Sequence, residues 1–486
     1  MTMLLLNRRP SSSSLTNVKT LNKARKWYKA VILSSSSKSG SDSNSNIEIN
    51  IIDNNNVTIR ERNEKHHHYH FKKNDKHQRE PTSESSTQMR DQAYEICRKY
   101  LSGEWNKISS DDMIFKTVSG GLSNLLYYCS LPATHTPVTG EPSQVLLRMY
   151  GQLLDRYDTK ITDSVITMLL SERKLGPKLY GIFPGGRLEE YIPARAMTCS
   201  ELSNPLYSAI IARKLAIVHH LNVPINKEPT WLTETMQTWL EQIRKVPFNS
   251  EKMSTIEQEL IRFDYENEIK ILFRILEQCE SPVVFCHNDL QEGNILLPSD
   301  DKHFNSKLLN NNVLDTMTKS DGDYDDDDEQ TMMNGDCKQK QRSNFDDHIV
   351  FIDFEFCAYN YRGSDIANHF VERMFDYSNP EWPHYYSYMD RFPNDDEKRL
   401  FIREYLKQCS ELNNTSEPGP YDNEEHLIKE VNFYALVSHL LWTLWSINNA
   451  RTSKISFGYL EYGKTRLEAY QMHKKFVIEK YCLKID

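Results

Sequence analysis

The 486-residue sequence predicts an α+β protein in which a small β-rich part precedes a larger, mainly helical part. Short apolar runs of strand length, separated by turn-forming residues, cluster before Pro193. Longer segments with apolar residues at helical spacing dominate after Pro193. Only two further runs of strand length interrupt these helices.

The first 88 residues are predicted to form a disordered, low-complexity tail. Residues 1–41 contain no Asp or Glu and are rich in Ser, Lys and Arg, and Asn- and Ser-rich tracts follow. So little apolar surface cannot offset the entropy lost on ordering. The same composition is weakly compatible with a mitochondrial transit peptide, and the His66–His70 cluster is of a kind that binds metal adventitiously. A solvated tail explains both features more simply.

Residues 89–192 are predicted to form the first lobe. The loop between its first two strands is Ser119-Gly-Gly-Leu-Ser-Asn124, whose small residues favour a turn. The predicted helices and strands, in order, are a helix at Asp91–Ser102, strands at Phe115–Val118, Leu125–Leu131 and Val145–Tyr150, a helix at Val165–Lys174, and a strand at Gly186–Tyr191.

Residues 193–486 are predicted to form a second, helical lobe. Its acidic segment 299–348 includes Asp321–Glu329 and is expected to be a disordered insertion. A calcium loop is the alternative, but the run lacks the spaced ligands that end in Glu at position 12. The predicted helices are Leu206–Leu221, Met236–Lys245, Thr255–Cys279 and, within a helical stretch, Glu424–Tyr481; the predicted strands are Val283–Cys286 and Ile349–Phe354.

The strongest local signal is the segment His287-Asn-Asp-Leu-Gln-Glu-Gly-Asn294, which follows a predicted strand. Asp353 lies at the end of another short strand. Phosphoryl transfer needs a carboxylate near the attacking hydroxyl and oxygen ligands for Mg²⁺. Asp289 fits the first need, and Asn294 and Asp353 fit the second. Each residue alone could simply cap a turn, but the ordered spacing favours a catalytic centre.

Arg148 lies on a predicted strand, where its charge could reach a phosphate, and Glu172 in the next predicted helix could pair with it. The formal charge of −9 argues against a general nucleic-acid binder. No apolar run approaches the roughly 18–20 residues that span a bilayer. Nine scattered cysteines without a CxxC favour free thiols in a reducing compartment, so a cytoplasmic location is expected.

Taken together, these features show that the chain resembles the choline/ethanolamine kinase family. The resemblance runs from about residue 90 to the C-terminus, except for residues 299–348. The segments that carry the resemblance are Val118–Asn124, Leu175–Pro184, His287–Asn294, Ile352–Phe356, Tyr359–Gly363, Asp365–Phe370 and Leu441–Ser446.

The resemblance implies a bilobal, protein-kinase-like fold and ATP-dependent phosphorylation of choline to phosphocholine, the first step of the CDP-choline route to phosphatidylcholine. It places Asp289 in the catalytic-base position and Asn294 and Asp353 in magnesium-binding positions. It also implies that Asp365 braces the catalytic loop and that the chain can form a homodimer. The implied nucleotide contacts are Ser119, Gly120, Gly121, Leu122, Ser123, Asn124, Arg148, Glu190, Tyr191, Gln291 and Asp353.

A quaternary ammonium group has no N–H to donate, so aromatic faces and a nearby carboxylate must hold it. Trp442 and Trp445 are three residues apart and share a helix face. The resemblance implies a cage of these two tryptophans with Tyr462, Tyr377 and Glu372.

Some positions depart from the family pattern. Phe356 replaces a frequent Tyr, Glu190 replaces a frequent Gln, and Arg373 replaces a frequent aromatic residue beside Glu372, whose charge it is expected partly to neutralise. Ethanolamine kinase or dual activity is the nearest alternative, because a primary ammonium tolerates a less aromatic pocket. A pseudokinase that only binds partners is a more distant alternative, against which Asp289, Asn294 and Asp353 argue.

Overall fold

A computed structural model describes residues 46–53, 56–62, 83–118, 124–150, 157–245, 251–298, 349–414, 417–453 and 455–484. The chain divides into two compact units. The first comprises residues 1–116, 127–147 and 154–165, and the second comprises 117–126, 148–153 and 166–486. Most of the predicted tail, loop residues 119–123 and the predicted insertion 299–348 lie outside the described residues. The predicted lobe boundary near residue 192 stays a prediction.

The first unit contains an antiparallel hairpin of β1 (Asn46–Asp53) and β2 (Asn56–Arg62), in which Ile49 lies opposite Ile59. Helix α1 follows at Ser83–Leu101. The hairpin and the start of α1 fall within the range where the sequence analysis expects no regular structure. Alternation of Ile and Val with polar residues in this hairpin is nevertheless a pattern typical of strands.

Three predicted strands of the first lobe occur within one residue of their expected bounds. They are β3 (Ile114–Val118), β4 (Leu125–Ser130) and β5 (Gln144–Met149), which lie side by side in that order. Trp105 anchors the first unit: it is fully buried, and its indole Nε1 donates to the Pro142 carbonyl at 2.9 Å. Helix α2 spans Tyr157–Glu172 and begins eight residues before the predicted start at Val165.

In the second unit, α2 is followed by an antiparallel hairpin of β6 (Leu179–Phe183) and β7 (Gly186–Glu190). Strand β7 was predicted from the sequence, whereas β6 was not. Strand β8 (Ala194–Ala196) pairs with β10 (Ile295–Pro298), and β10 pairs with β11 (Val350–Phe351).

Helices α3 (Pro205–His219) and α4 (Trp231–Arg244) match two predicted helices. The single helix predicted over Thr255–Cys279 is wrong, because the structure has α5 at Thr255–Arg262 and α6 at Tyr265–Leu276. Asp264 separates them, and its side chain accepts from the Asn267 N–H at 3.2 Å. This N-cap starts a new helix on a new axis.

The last segment of the chain, from Glu424 to Tyr481, is helical, as predicted, and short strands precede it. Strands β9 (Val283–Cys286) and β12 (Ala358–Tyr361) pair antiparallel, and α7 (Arg362–Val371) follows. Short strands β13 (Phe375–Asp376) and β14 (Tyr386–Ser387) form a ribbon. The remaining helices are α8 (Asp395–Asn413), α9 (Glu424–Thr452) and α10 (Tyr459–Tyr481).

Helix α9 is the centre of the second unit's core. It packs against both α7 and α10, and nearly every residue from Leu427 to Ile447 is buried. A helix that is apolar on most sides belongs in a protein interior or a membrane. Within the described residues, no helix has both the length and the apolar character that crossing a bilayer requires. The predicted α+β class, β-rich first and mainly helical afterwards, is confirmed.

Candidate active site

Strand β9 leads directly into the predicted catalytic loop, 287–294, and the buried side chain of Asp365 holds the start of this loop. Its Oδ2 accepts from the His287 N–H at 2.7 Å, and its Oδ1 accepts from the Asn288 N–H at 2.8 Å. His219 Nε2 lies 2.9 Å from Oδ2, and the other nitrogen of His219 lies 2.8 Å from the Tyr405 hydroxyl. Burial alone would raise the pKa of Asp365, but the bond and charge of His219 hold it below its ordinary value.

Asn288 has a left-handed backbone conformation, with φ of 63°. Such a conformation is costly for a residue with a side chain and persists only where surrounding contacts fix it. Here its side-chain Nδ2 donates to the Phe356 carbonyl at 2.9 Å, and its Oδ1 accepts from Asn360 at 2.8 Å. These bonds and the Asp365 contact fix the turn that precedes Asp289.

His287 is buried, and both of its ring nitrogens contact backbone atoms. The Asp289 N–H donates to Nδ1 at 3.3 Å, so Nε2 carries the proton and donates to the Ile352 carbonyl at 3.0 Å. Burial lowers the pKa of His287 below its ordinary value. This neutral imidazole therefore orients the loop through its contacts with two backbone groups.

Asp289 and Asn294 lie in direct contact. Asn294 Nδ2 donates to the Asp289 carbonyl oxygen at 2.8 Å and to Asp289 Oδ2 at 3.1 Å. The bond from Asn294 favours the carboxylate form, but burial and the charges of Glu372, Asp353 and Glu355 raise the pKa of Asp289 well above its ordinary value. Because Nδ2 is engaged, the amide oxygen is the atom of Asn294 that could bind a cation.

Asp353 begins the segment that faces this loop. It was predicted to lie in a strand over Ile349–Phe354, and this prediction is wrong: β11 ends at Phe351, and Asp353 has a left-handed conformation with φ of 63° before a 3₁₀ turn. The Ile352 N–H donates to the Asn294 carbonyl at 3.0 Å, which ties the two segments together. The side chain of Asp353 is 24% exposed, so it can still reach a ligand.

Arg148, at the end of β5, forms buried ion pairs with two carboxylates. Its Nη1 lies 2.9 Å from Asp353 Oδ1, and its Nε lies 3.3 Å from Glu189 Oε1. Arg187 Nε donates to the other oxygen of Glu189 at 2.8 Å. Burial alone would raise the pKa of Glu189, but the two arginines hold it below its ordinary value. The pairing of Arg148 with Glu172 suggested by the sequence is wrong, since Glu172 is exposed and Arg148 pairs with Glu189 and Asp353.

A small cavity adjoins this ion-pair network, and Arg148, Glu189 and Asp353 are among the residues that line it. Gly176, from the Leu-Gly-Pro segment, also lines it. A Cβ atom at Gly176 would come within 2.8 Å of the Phe354 ring, closer than real Cβ contacts. The glycine is therefore needed for the chain to pack against the Asp353 segment.

Of the other predicted nucleotide contacts, the structure describes Asn124, Glu190, Tyr191 and Gln291. Asn124 is buried and donates through Nδ2 to Glu355 Oε2 at 2.8 Å, while Ser119, Gly120, Gly121, Leu122 and Ser123 lie outside the described residues. Gln291 Oε1 accepts from the Gly293 N–H at 2.8 Å. Glu190 is exposed at the end of β7, followed by Tyr191, and its carboxylate accepts from the Lys178 N–H at 3.0 Å.

The five predicted cage residues form one contiguous cluster. Trp442 and Trp445 pack edge to face with ring centroids 5.5 Å apart, and Trp445 lies 6.5 Å from the Tyr462 ring. Tyr462 and Tyr377 join through their hydroxyls at 2.8 Å, and Tyr377 donates to Glu372 Oε2 at 2.8 Å. Every one of these side chains is buried or half-buried.

Phe356 connects this aromatic cluster to the catalytic loop. Its ring lies 5.7 Å from that of Trp442, at 90°, and its carbonyl accepts from Asn288. The charge of Glu372 also contributes to the raised pKa of Asp289.

The expected neutralisation of Glu372 by Arg373 is wrong. Arg373 is buried against the Phe370 ring, 4.9 Å away, and donates to the Ser208 hydroxyl at 3.2 Å. Burial lowers its pKa to about 10. The cation that pairs with Glu372 is Arg466, on α10.

Sequence reasoning missed four side chains of this region: Arg466, Glu292, Glu355 and His219. Arg466 lies one helical turn after Tyr462, so its spacing could have indicated it. Glu292 and Glu355 lie inside the motifs 287–294 and 352–356, but no role was assigned to them. Burial and the charge of Glu372 raise the pKa of Glu292 to about 8. Nothing in the local sequence marks His219, because its partner Asp365 is 146 residues away.

Several known proteins are similar to this chain in sequence or in structure. The sequence profile of one family, described as Choline/ethanolamine kinase, matches residues 115–471. The chain is 39% identical over 398 residues to a rat protein named choline/ethanolamine kinase, covering 82% of this chain and 89% of that protein. It is 36% identical over 406 residues to mouse choline kinase alpha, covering 79% and 81%.

Among solved structures, a choline kinase from Cryptosporidium parvum aligns with a TM-score of 0.55 at 24% identity. The alignment covers 80% of this chain and 97% of that chain. A likeness at this level of identity shows a shared fold. The predicted bilobal, protein-kinase-like fold is thereby confirmed.

Proposed function

Because the chain belongs to the choline/ethanolamine kinase family, we propose that it transfers the γ-phosphoryl group of ATP to the choline hydroxyl and so forms phosphocholine. One set of contacts carries this proposal. Asp289 contacts Asn294, whose carbonyl accepts from the N–H of Ile352, the residue before Asp353. Asn288, the residue before Asp289, donates to the carbonyl of Phe356, whose ring packs against Trp442. A phosphoryl donor and an amino alcohol would thus meet at one carboxylate.

Asp289 is the group that orients the choline hydroxyl and accepts its proton. Its raised pKa supports this role, because a base works best when its pKa approaches the working pH. The Asn294 amide fixes one carboxylate oxygen and leaves the other for the substrate. General-base assistance of this kind contributes about 10²–10⁴ in rate.

Arg148 is the cation for the nucleotide phosphates. Its guanidinium is always charged and presents a rigid set of donors. Its bond to Asp353 holds it beside the metal-binding position. The remaining nucleotide contacts in this proposal are Ser119–Asn124, Glu190, Tyr191 and Gln291.

The residues present fit a magnesium ion. Asn294 offers an amide oxygen and Asp353 a partly exposed carboxylate, and both are hard oxygen donors of the kind that Mg²⁺ prefers. When bound, the ion would neutralise charge on the phosphates. The ion pair with Arg148 keeps the Asp353 carboxylate in place.

The aromatic cluster binds the trimethylammonium group of choline in this proposal. Aromatic faces attract such a cation by about 0.5–2 kcal/mol each. Trp442, Trp445, Tyr462 and Tyr377 supply the faces, and Glu372 supplies a carboxylate.

Activity on ethanolamine is a second candidate. The observation that favours it is the name of the rat relative, which is a choline/ethanolamine kinase. We further expect a cytoplasmic location, in line with buried free thiols such as Cys279 and Cys286. A homodimer stays a prediction.

A coupled ADP-release assay with Mg²⁺ and ATP tests the proposed function. The purified full chain is offered choline, ethanolamine and an amine-free alcohol such as propanol at equal concentrations. The proposal predicts turnover with choline, a smaller or comparable rate with ethanolamine, and none with propanol. ADP release that does not depend on an amino alcohol would contradict it.

A further inference from the structure

Arg466 closes a buried ring of hydrogen bonds behind the cage. It is fully buried on α10, and its Nε donates to the Tyr462 hydroxyl at 2.8 Å. Its Nη2 forms an ion pair with Glu372 Oε1. The ring continues from Tyr462 to the Tyr377 hydroxyl at 2.8 Å and from Tyr377 to Glu372 Oε2 at 2.8 Å.

The direction of every proton in this ring is determined. Arginine can only donate, and a carboxylate can only accept. Tyr377 therefore donates its proton to Glu372, so the Tyr462 hydroxyl donates to the Tyr377 oxygen. The Tyr462 oxygen in turn accepts from Arg466. Both hydroxyl protons are committed within the ring, and each oxygen of Glu372 already has a donor.

The charge of Glu372 is also compensated before any substrate arrives. Burial alone would lower the pKa of Arg466, but the Glu372 carboxylate raises it above its ordinary value, so Arg466 stays charged beside that carboxylate. The guanidinium is held further by the Phe375 ring, 3.9 Å away. Glu372 is only 2% exposed, so a substrate must compete with Arg466 for it.

We infer that Arg466 is a specificity-determining residue, which favours a quaternary over a primary ammonium substrate. With Glu372 occupied, the attraction left for a cation comes mainly from ring faces, and a quaternary ammonium needs no more than these. A primary ammonium carries three N–H donors, and burying them without acceptors is costly. This inference rests on the proposed function.

The variant Arg466→Met tests the inference, because methionine keeps much of the volume and removes the charge. The expected result is that the choline-to-ethanolamine ratio of kcat/KM falls about tenfold, since the released carboxylate gains a charge-assisted bond with the primary amine alone. Arg362→Met is the matched control: Arg362 is also buried and forms ion pairs with Glu430 and Asp422, outside the cage, so its loss should leave the ratio unchanged.

Glu372→Gln provides a second variant in case Arg466→Met does not fold. If Glu372 is committed to Arg466, both substrates should weaken together and the ratio should stay within about threefold. If Glu372 instead accepts directly from the amine, ethanolamine should lose at least tenfold more than choline, which would overturn the inference. An unchanged ratio in a folded Arg466→Met variant would overturn it as well.

Binding separates this inference from the proposed function. The fluorescence of Trp442 and Trp445 can report choline and ethanolamine affinity without turnover. If the wild-type protein binds choline more tightly than ethanolamine but phosphorylates neither amine, the proposed function is contradicted and the inference about Arg466 is not. Wild-type protein that binds neither amine, or ethanolamine more tightly, would overturn the inference.

Discussion

At the scale of single residues, Asp289 illustrates a conflict between stability and chemistry. Burial and three neighbouring carboxylates raise its pKa, while the Asn294 amide opposes this shift. A carboxylate that resists ionisation is a better proton acceptor near neutral pH. Because the folded protein disfavours the charged form, ionisation of Asp289 lowers the free energy of unfolding.

Asp289→Asn is therefore expected to stabilise the protein at neutral pH and above. The stability linked to this group is fully present below its unfolded pKa, near 3.8, and is lost as the pH rises through the higher folded pKa. The variant removes that loss, so its Tm without nucleotide should exceed the wild-type Tm by a few degrees at pH 8. The gain should disappear near pH 4.

Differential scanning calorimetry across this pH range measures the effect. Asp390→Asn serves as the control, since Asp390 is exposed and the change should leave Tm nearly constant. A variant that melts below the wild type at pH 8 would show that ionised Asp289 stabilises the fold, contrary to its raised pKa.

Sequence reasoning located most of these residues but not their partners. The types and spacing of Asp289, Asn294 and Asp353 indicated a catalytic centre, because the loop that carries the first two is short. The partners of Arg148 and Glu372 could not be read in this way, since an ion pair such as Arg148–Asp353 joins residues 205 positions apart. Arg373 was the nearest basic residue to Glu372 in sequence, but the fold directs it toward Phe370.

At the scale of elements, α7 supports the catalytic loop through a single carboxylate. Asp365 is fully buried and accepts from two backbone N–H groups of the loop, while His219 on α3 lies against it. Two elements and the loop thus meet at one ionised group. Removing that charge should loosen all three together.

Asp365→Asn is expected to lower the free energy of unfolding by about 3–5 kcal/mol, the typical cost of breaking a buried charged pair. The amide also places N–H donors where the backbone N–H groups of His287 and Asn288 need acceptors. Urea denaturation at pH 7 measures the loss, with Asp390→Asn expected to stay within about 0.5 kcal/mol of wild type. A loss below about 1 kcal/mol for Asp365→Asn would refute the bracing role.

Element boundaries could be predicted where an apolar run ends abruptly, but not where the apolar spacing continues from one helix into the next. Val283–Cys286 was predicted to the residue, because an apolar run ends abruptly at the polar loop. The Thr255–Cys279 helix was predicted as continuous, since its apolar spacing barely changes across Phe263 and Asp264. The helix is nevertheless interrupted there, because Asp264 caps the start of α6.

At the scale of the whole molecule, the fold and the family follow from several short motifs in a fixed order. The sequence placed a β-rich part before a helical part, and the shared fold with a solved choline kinase confirms that arrangement. Substrate preference is less visible in sequence, because it depends on how Arg466, Glu372 and two tyrosines bond to one another. That ring exists only once Arg466 on α10 meets Glu372, in the 3₁₀ turn after α7, and Phe375 on β13.

The most direct test of the central claim compares wild type with Asp289→Asn in two measurements. The claim that Asp289 accepts the proton of the choline hydroxyl predicts that kcat for phosphocholine formation, followed by ³¹P NMR, falls by about 10²–10⁴. ATP affinity by calorimetry should stay within about threefold, because Arg148 and Asp353 remain. Turnover within threefold of wild type in the folded variant would contradict the claim.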